Sequence, residues 1–198
     1  MNNAQIKNVT EQIIALELEM FLAVPADDAY SCQEDPEGFR LHRRAQFSIW
    51  SEDTLQSYLD DLKGAQKNGI NLMTIKYARM DDLLPAENLN PQIDEIVTVQ
   101  LRWQTEMVRK YPDLMAGARY LSETEGSTYG TSFATYLRAE LETYSDATLA
   151  LLHRDVTTYT KAGINGSEKI YVYLVKALGY DSIATADQAQ KQKPRGST

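Results

Sequence analysis

The sequence is poor in the residues that most often build metal and redox sites. Its 198 residues include one cysteine, Cys32, and two histidines, His42 and His153. Neither histidine has a glutamate three residues before it, the pairing that di-iron helical bundles use. A lone cysteine cannot form a disulfide within the chain, so we expect a protein of the reducing cytoplasm.

Positive charge and long apolar runs are also scarce. Lysine and arginine number 20 against 28 aspartates and glutamates, which gives a formal net charge of −8. Nucleic acids and anionic membranes both require a basic face, so we expect neither as a partner. No apolar run reaches the ~18 residues of a membrane-spanning helix. Charges interrupt the apolar residues near the N-terminus, so we expect no signal peptide.

Common catalytic motifs are absent as well. The sequence has no glycine-rich phosphate loop, no Gly-x-Ser-x-Gly elbow and no His-Glu-x-x-His pair. Its composition is still that of a folded protein, with 43% hydrophobic and 24% charged residues. The sequence therefore indicates an acidic globular protein, leaves any cofactor unknown and assigns no metal ligands.

The pattern that is present is a helical one. Residues 6–24 and 92–111 repeat apolar side chains at helical spacing, and no segment alternates as a half-buried strand does. We predict an all-α fold, a bundle of about eight helices in a single domain covering 1–198. The polar end of the chain, 188–198, is predicted to be a frayed tail.

An internal repeat underlies this pattern. Shifting the chain by 94 positions places 39–80 on 133–174, and twelve of the 42 aligned positions are then identical. Chance would give roughly two or three identities. We therefore predict two tandem helical units, 9–80 and 97–174, related by a pseudo-two-fold axis.

Many of the repeated residues are of types that typically begin or end helices. Serines and asparagines at corresponding positions are expected to be N-caps, and glycines are expected just after helix C-termini. These residues are Ser51, Ser145, Asn71, Asn165, Gly69 and Gly163.

Two repeated arginines remain after the helix ends are set aside. Arg44 and Arg138 each lie at helical spacing from apolar residues, and a buried guanidinium must have a partner. One interpretation pairs them with the repeated aspartates Asp61 and Asp155, so that the arginines only hold helices together. In the other, the two arginines converge between the repeats and bind a carboxylate or phosphate.

Glu140 is the candidate catalytic residue. It replaces Gln46 of the first unit, and a carboxylate among arginine and tyrosine side chains can act as a general base. In that scheme Tyr77 and Tyr144 orient the ligand. Cys32 is a second candidate, as a nucleophile near a helix N-terminus or as an ordinary loop cysteine.

A carboxylate-rich metal site is a further alternative. It would require Glu19, Glu106 and Glu140, with or without a histidine, to converge within ~5 Å of one point.

Several segments carry a resemblance to an uncharacterised family, domain-of-unknown-function family 4125. They include Ser31-Cys32-Gln33, the Arg44-x-Gln46 pair, Lys76-Tyr77-Ala78-Arg79 and Arg138-x-Glu140, and the similarity covers 14–187. The resemblance implies a small bacterial helical protein without an established activity, and it transfers no catalytic residue. It directs attention to Gln33, Gln46, Lys76 and Arg79 as possible members of an anion site.

The sequence thus supports one main hypothesis for function. A small anionic ligand binds between the two repeats, with or without catalysis at Glu140. The alternatives are a non-catalytic protein-interaction module and the carboxylate-rich metal enzyme. A homodimer is compatible with each of them.

Overall fold

Ten α-helices and no strands make up the part of the chain that the structure describes. That part is 3–25, 34–122 and 131–192 of a computed structural model. The helices are α1 (Asn3–Leu22), α2 (Pro36–Phe47), α3 (Glu52–Lys67), α4 (Leu72–Met80), α5 (Gln92–Lys110), α6 (Pro112–Met115), α7 (Phe133–Leu141), α8 (Asp146–Lys161), α9 (Gly166–Ala177) and α10 (Ile183–Lys191). The predicted all-α class is confirmed.

The number of helices exceeds the eight expected, because two short helices follow the main elements. Pro112 starts α6 directly after α5, since proline is favoured in the first turn of a helix. The helix α10 is capped by Ser182 and continues to Lys191, past the predicted start of the frayed tail at 188. Polar residues there are compatible with a helix that buries only Ile183 and Ala186.

The predicted N-caps are confirmed. Each side-chain oxygen accepts a hydrogen bond from the backbone N–H three residues later, which satisfies a donor that the helix leaves free. The distances are 3.4 Å from Thr54 to Ser51, 2.9 Å from Thr74 to Asn71, 3.2 Å from Thr148 to Ser145 and 3.0 Å from Glu168 to Asn165.

Four of the helices that the structure describes end with a residue in the left-handed backbone conformation. Three of these residues are glycines, Gly69, Gly163 and Gly179, with φ between 67° and 88°. The predicted helix ends at Gly69 and Gly163 are therefore confirmed. After α4 the same position is held by Asp82, with φ 56°.

The helices pack in two groups. In the first, α1 contacts α2, α3 and α4; in the second, α5 contacts α7, α8 and α9. The groups meet where α3 packs on α8, α2 on α9 and α4 on α7. One large hydrophobic core runs through both groups, and a smaller one joins α5, α6, α9 and α10.

None of the described helices combines the length and the apolar character that a membrane-spanning helix needs.

Candidate functional site

Four charged residues lie buried at the centre of the helix assembly. Glu17 on α1, Arg43 on α2, Lys76 on α4 and Glu140 on α7 are each at most 5% exposed. We call them the buried charge cluster. Its two carboxylates and two cations balance, which is the condition under which charges remain in a protein interior.

Glu17 and Arg43 form one half of the cluster. Arg43 donates from Nε to Glu17 Oε2 at 2.7 Å, and its Nη2 donates to Oε1, so the pairing is bidentate. The hydroxyl of Tyr58 donates to Glu17 Oε1 at 2.8 Å. The ring of Phe47 covers the guanidinium at 4.7 Å.

Glu140 is the centre of the other half. It accepts from Lys76 Nζ at 2.6 Å, from Arg43 Nη1 at 3.0 Å and from the Tyr144 hydroxyl at 2.8 Å. The Gln46 amide donates to Glu140 at 3.2 Å and accepts from Arg43 at 2.7 Å. Every side chain named here donates to this carboxylate, and these hydrogen bonds favour its charged form.

The two carboxyl groups differ in pKa. Burial alone would raise the pKa of Glu140, but Arg43 and Lys76 outweigh it and hold that pKa well below its usual range. Burial raises the pKa of Glu17 in spite of the opposing charge of Arg43. A carboxylate with a low pKa is a weak base, and general-base catalysis by Glu140 stays a prediction.

Arg44 and Arg138, the arginines singled out from the repeat, do not pair with Asp61 and Asp155. Arg44 instead pairs with Glu11 on α1, at 2.7 and 2.9 Å, and Arg138 pairs with Asp94 on α5. The expected pairing is wrong because each arginine faces the long helix of its own group, α1 or α5.

Asp61 and Asp155 instead bind the start of a helix in the opposite group. Asp155 accepts from the Ser51 N–H at 2.8 Å and from the Thr54 hydroxyl at 2.6 Å. Asp61 accepts from the Ser145 N–H at 3.1 Å and from the Thr148 hydroxyl at 2.6 Å. Each carboxylate thus adds negative charge at a helix N-terminus, where the helix dipole favours it.

A cleft of about 520 Å³ lies beside the α4–α7 contact. Arg79 and Arg138 both line it, together with Asp82, Thr131, Thr135 and Glu142. We call it the α4–α7 cleft. Arg44 does not line it, so the prediction that Arg44 and Arg138 converge on one site is wrong. The arginine that lines the cleft together with Arg138 is Arg79.

The remaining predicted site residues lie in several places. Lys76, Gln46 and Tyr144 contact Glu140 inside the protein, and Tyr77 stacks on Phe21 with 5.9 Å between ring centroids. Cys32 and Gln33 lie outside the described residues.

The predicted metal ligands have separate partners. Glu19 accepts from Gln66 and Glu106 from Asn165, while Glu140 accepts from Lys76. Within the described ranges, no three His, Cys, Asp or Glu side chains are grouped so that they could hold a metal. The predicted convergence of Glu19, Glu106 and Glu140 is therefore wrong.

Glu17 and Arg43 are the cluster members that the sequence analysis missed. Each lies between apolar side chains four residues away on both sides of its helix: Ile13 and Phe21 for Glu17, Phe39 and Phe47 for Arg43. Residues spaced by four share a helix face, so a charge in the middle of such a stripe must be buried with a partner. This spacing was the signal available in the sequence.

Comparison with protein-family models identifies the family of this chain. No match to the chain is found among curated proteins or among solved structures. The model of one protein family matches 7–188, which is nearly the whole chain and agrees with the resemblance seen in the sequence. The chain therefore belongs to the family described as "Protein of unknown function (DUF4125)".

Proposed function

We propose that this protein binds a small anionic ligand, a carboxylate or a phosphate, in the α4–α7 cleft. One observation carries the proposal: two arginines from different helices, Arg79 and Arg138, line the same cleft. Guanidinium groups bind carboxylate and phosphate oxygens through paired N–H donors. The volume of the cleft lies within the range of small-molecule sites.

Arg138 is the arginine that is available to a ligand. Its side chain is 43% exposed, and its protein partner Asp94 is 71% exposed. An ion pair with that exposure contributes about 0–1 kcal/mol, so a ligand anion can replace Asp94 at little cost.

Arg79 is held in a fixed orientation. It donates from Nε to Glu142 at 2.8 Å and from Nη1 to the Leu84 carbonyl, and its side chain is only 15% exposed. A cation that is already oriented loses less side-chain entropy when a ligand binds. The hydroxyl-bearing residues Thr131 and Thr135 line the same space.

The proposal is tested by isothermal titration calorimetry with inorganic phosphate and with succinate. We expect the wild-type protein to bind at least one of them and Arg138→Gln to bind it roughly tenfold more weakly. Arg44→Gln is the matched control, because Arg44 is also a partly exposed arginine in an ion pair but does not line the cleft. Absence of binding, or equal loss in both variants, would contradict the proposal.

We also infer that the two helix groups are duplicated units related by a pseudo-two-fold axis. The exchanged contacts of Asp61 and Asp155 support this, because they join residues that correspond at the 94-residue shift. The packing of α2 on α9 and of α4 on α7 exchanges in the same way. Gln46 contacts its counterpart Glu140, as expected of residues next to such an axis. The α4–α7 cleft then lies between the repeats.

A further inference from the structure

We propose that the ligand of the α4–α7 cleft carries an ammonium group as well as its anionic group, and that Asp82 binds the ammonium. This inference rests on the proposed function and specifies its ligand class: amino carboxylates or amino phosphates. It starts from the charges that line the cleft, which are two guanidinium groups and two carboxylates.

The two carboxylates differ in what they bind. Glu142 is 6% exposed and pairs with Arg79, so its charge is already neutralised. Asp82 is exposed, and its carboxylate forms no ion pair with any residue in 3–25, 34–122 or 131–192. The cleft therefore offers a ligand one exchangeable cation, Arg138, and one carboxylate, Asp82, that has no cation partner among the described residues.

The backbone conformation at Asp82 also supports a binding role for this residue. After α4, the Asp82 N–H donates to the Arg79 carbonyl at 3.3 Å and the Leu83 N–H to the Ala78 carbonyl at 2.8 Å. This pair of bonds is the Schellman motif, which places Asp82 at the left-handed position where glycine is favoured.

The same motif ends three other helices in the described part of the chain, and there the residue is glycine. Bonds with the same spacing surround Gly69, Gly163 and Gly179. An aspartate in this conformation is tolerated but less stable than a glycine. Among the described left-handed helix ends, the one that keeps a side chain is thus the one that lines the cleft, which is expected if the carboxylate has a binding role.

Charge complementarity then identifies the ligand class. A ligand with only an anionic group leaves the Asp82 carboxylate near its own negative charge, which is unfavourable. A ligand with an ammonium at its other end places opposite charges together at both Arg138 and Asp82. The cleft should therefore select zwitterionic molecules over simple anions of the same length.

Calorimetry with matched pairs of probes tests this inference. Glycine, β-alanine and γ-aminobutyrate are compared with acetate, propionate and butyrate, and phosphoethanolamine is compared with ethyl phosphate. For at least one pair we expect the wild-type protein to bind the amino compound roughly three- to tenfold more tightly. Asp82→Asn should remove this preference and leave the affinity for the simple anion unchanged or slightly higher.

The variant Asp82→Gly distinguishes a role of Asp82 in ligand binding from its effect on the stability of the fold. Glycine suits the left-handed conformation, so we expect this variant to raise Tm by about 1–3 °C while it also loses the preference for the amino compound. A merely structural Asp82 would give the higher Tm without any change in selectivity, and that result would overturn the inference.

The remaining outcomes distinguish the two proposals. If both members of every pair bind equally and Arg138→Gln weakens both, the anion site stands and the role of Asp82 is wrong. If no probe of either kind binds, the proposed function is contradicted and this inference falls with it.

Discussion

Lys76 and Glu140 face each other across the α4–α7 interface, with 2.6 Å between Nζ and Oε2 and each side chain only 3% exposed. The ring of Tyr136 lies 3.7 Å from the ammonium and shields it from water. Because Glu140 also binds Arg43, this one carboxylate joins α2, α4 and α7 through charge.

Lys76→Met should destabilise the protein strongly. The substitution keeps the apolar stem but leaves Glu140 Oε2 without its cation in a buried position, and we expect a loss of about 3–5 kcal/mol. Urea unfolding followed by circular dichroism measures it. Lys110→Met is the control, because Lys110 pairs with Glu168 at the surface and should change stability by less than about 1 kcal/mol. Equal losses in the two variants would contradict a stabilising role for the buried pair.

Glu140 should also make the free energy of unfolding depend on pH in the acidic range. Its pKa is lower in the folded protein than the ordinary value of 4.5, so the unfolded chain binds the proton first as pH falls. The stability that this group contributes is complete above about pH 4.5 and declines below it. We expect Glu140→Gln to be less stable than wild type at pH 7, with a difference that narrows toward pH 3.

Urea unfolding at several pH values measures that difference. Glu17 provides an internal comparison, because its pKa is raised on folding and its contribution has the opposite sign. Stability linked to Glu17 is present below pH 4.5 and declines as pH rises through its folded pKa. A difference between wild type and Glu140→Gln that stays constant with pH would show that the folded-state pKa is not lowered.

Asp61 and Asp155 should contribute similarly to stability. Each accepts one backbone N–H and one threonine hydroxyl from the opposite helix group, so Asp61→Asn and Asp155→Asn should each cost about 1–3 kcal/mol in urea unfolding. Asp60→Asn is the control, since Asp60 accepts from Gln56 on the exposed side of its own helix. Strongly unequal losses would argue against the equivalence of the two units.

The local structure of this protein was largely predictable from sequence. Helix starts at Ser51 and Asn165 and helix ends at Gly69 and Gly163 follow from interactions within a few residues, which a sequence displays directly. The residues that are identical between the two segments at the 94-residue shift lie mainly at helix starts and ends. They therefore indicated the fold more than the function.

The candidate site was predictable only in part. Arg43 and Arg44 are neighbours in sequence, and which of them is buried depends on partners 26 and 33 residues away, Glu17 and Glu11. Helical spacing could identify Arg43, but no local rule identifies its partner. The α4–α7 cleft is a property of packing, because Arg79 and Arg138 meet only when α4 reaches the other helix group.

The exchanged aspartates have a consequence for the order of events during synthesis. Ser51 leaves the ribosome 104 residues before Asp155, which at 5–20 residues per second is roughly 5–20 s. For that time the first half of the protein lacks the carboxylate that completes the start of α3. When the second half is made, the aspartate that binds the start of α8 is already present in the first half. Docking of the two halves is therefore a late and mutual step, and in a chain released before Asp155 the Ser51 N–H and the Thr54 hydroxyl would bind water in place of that carboxylate.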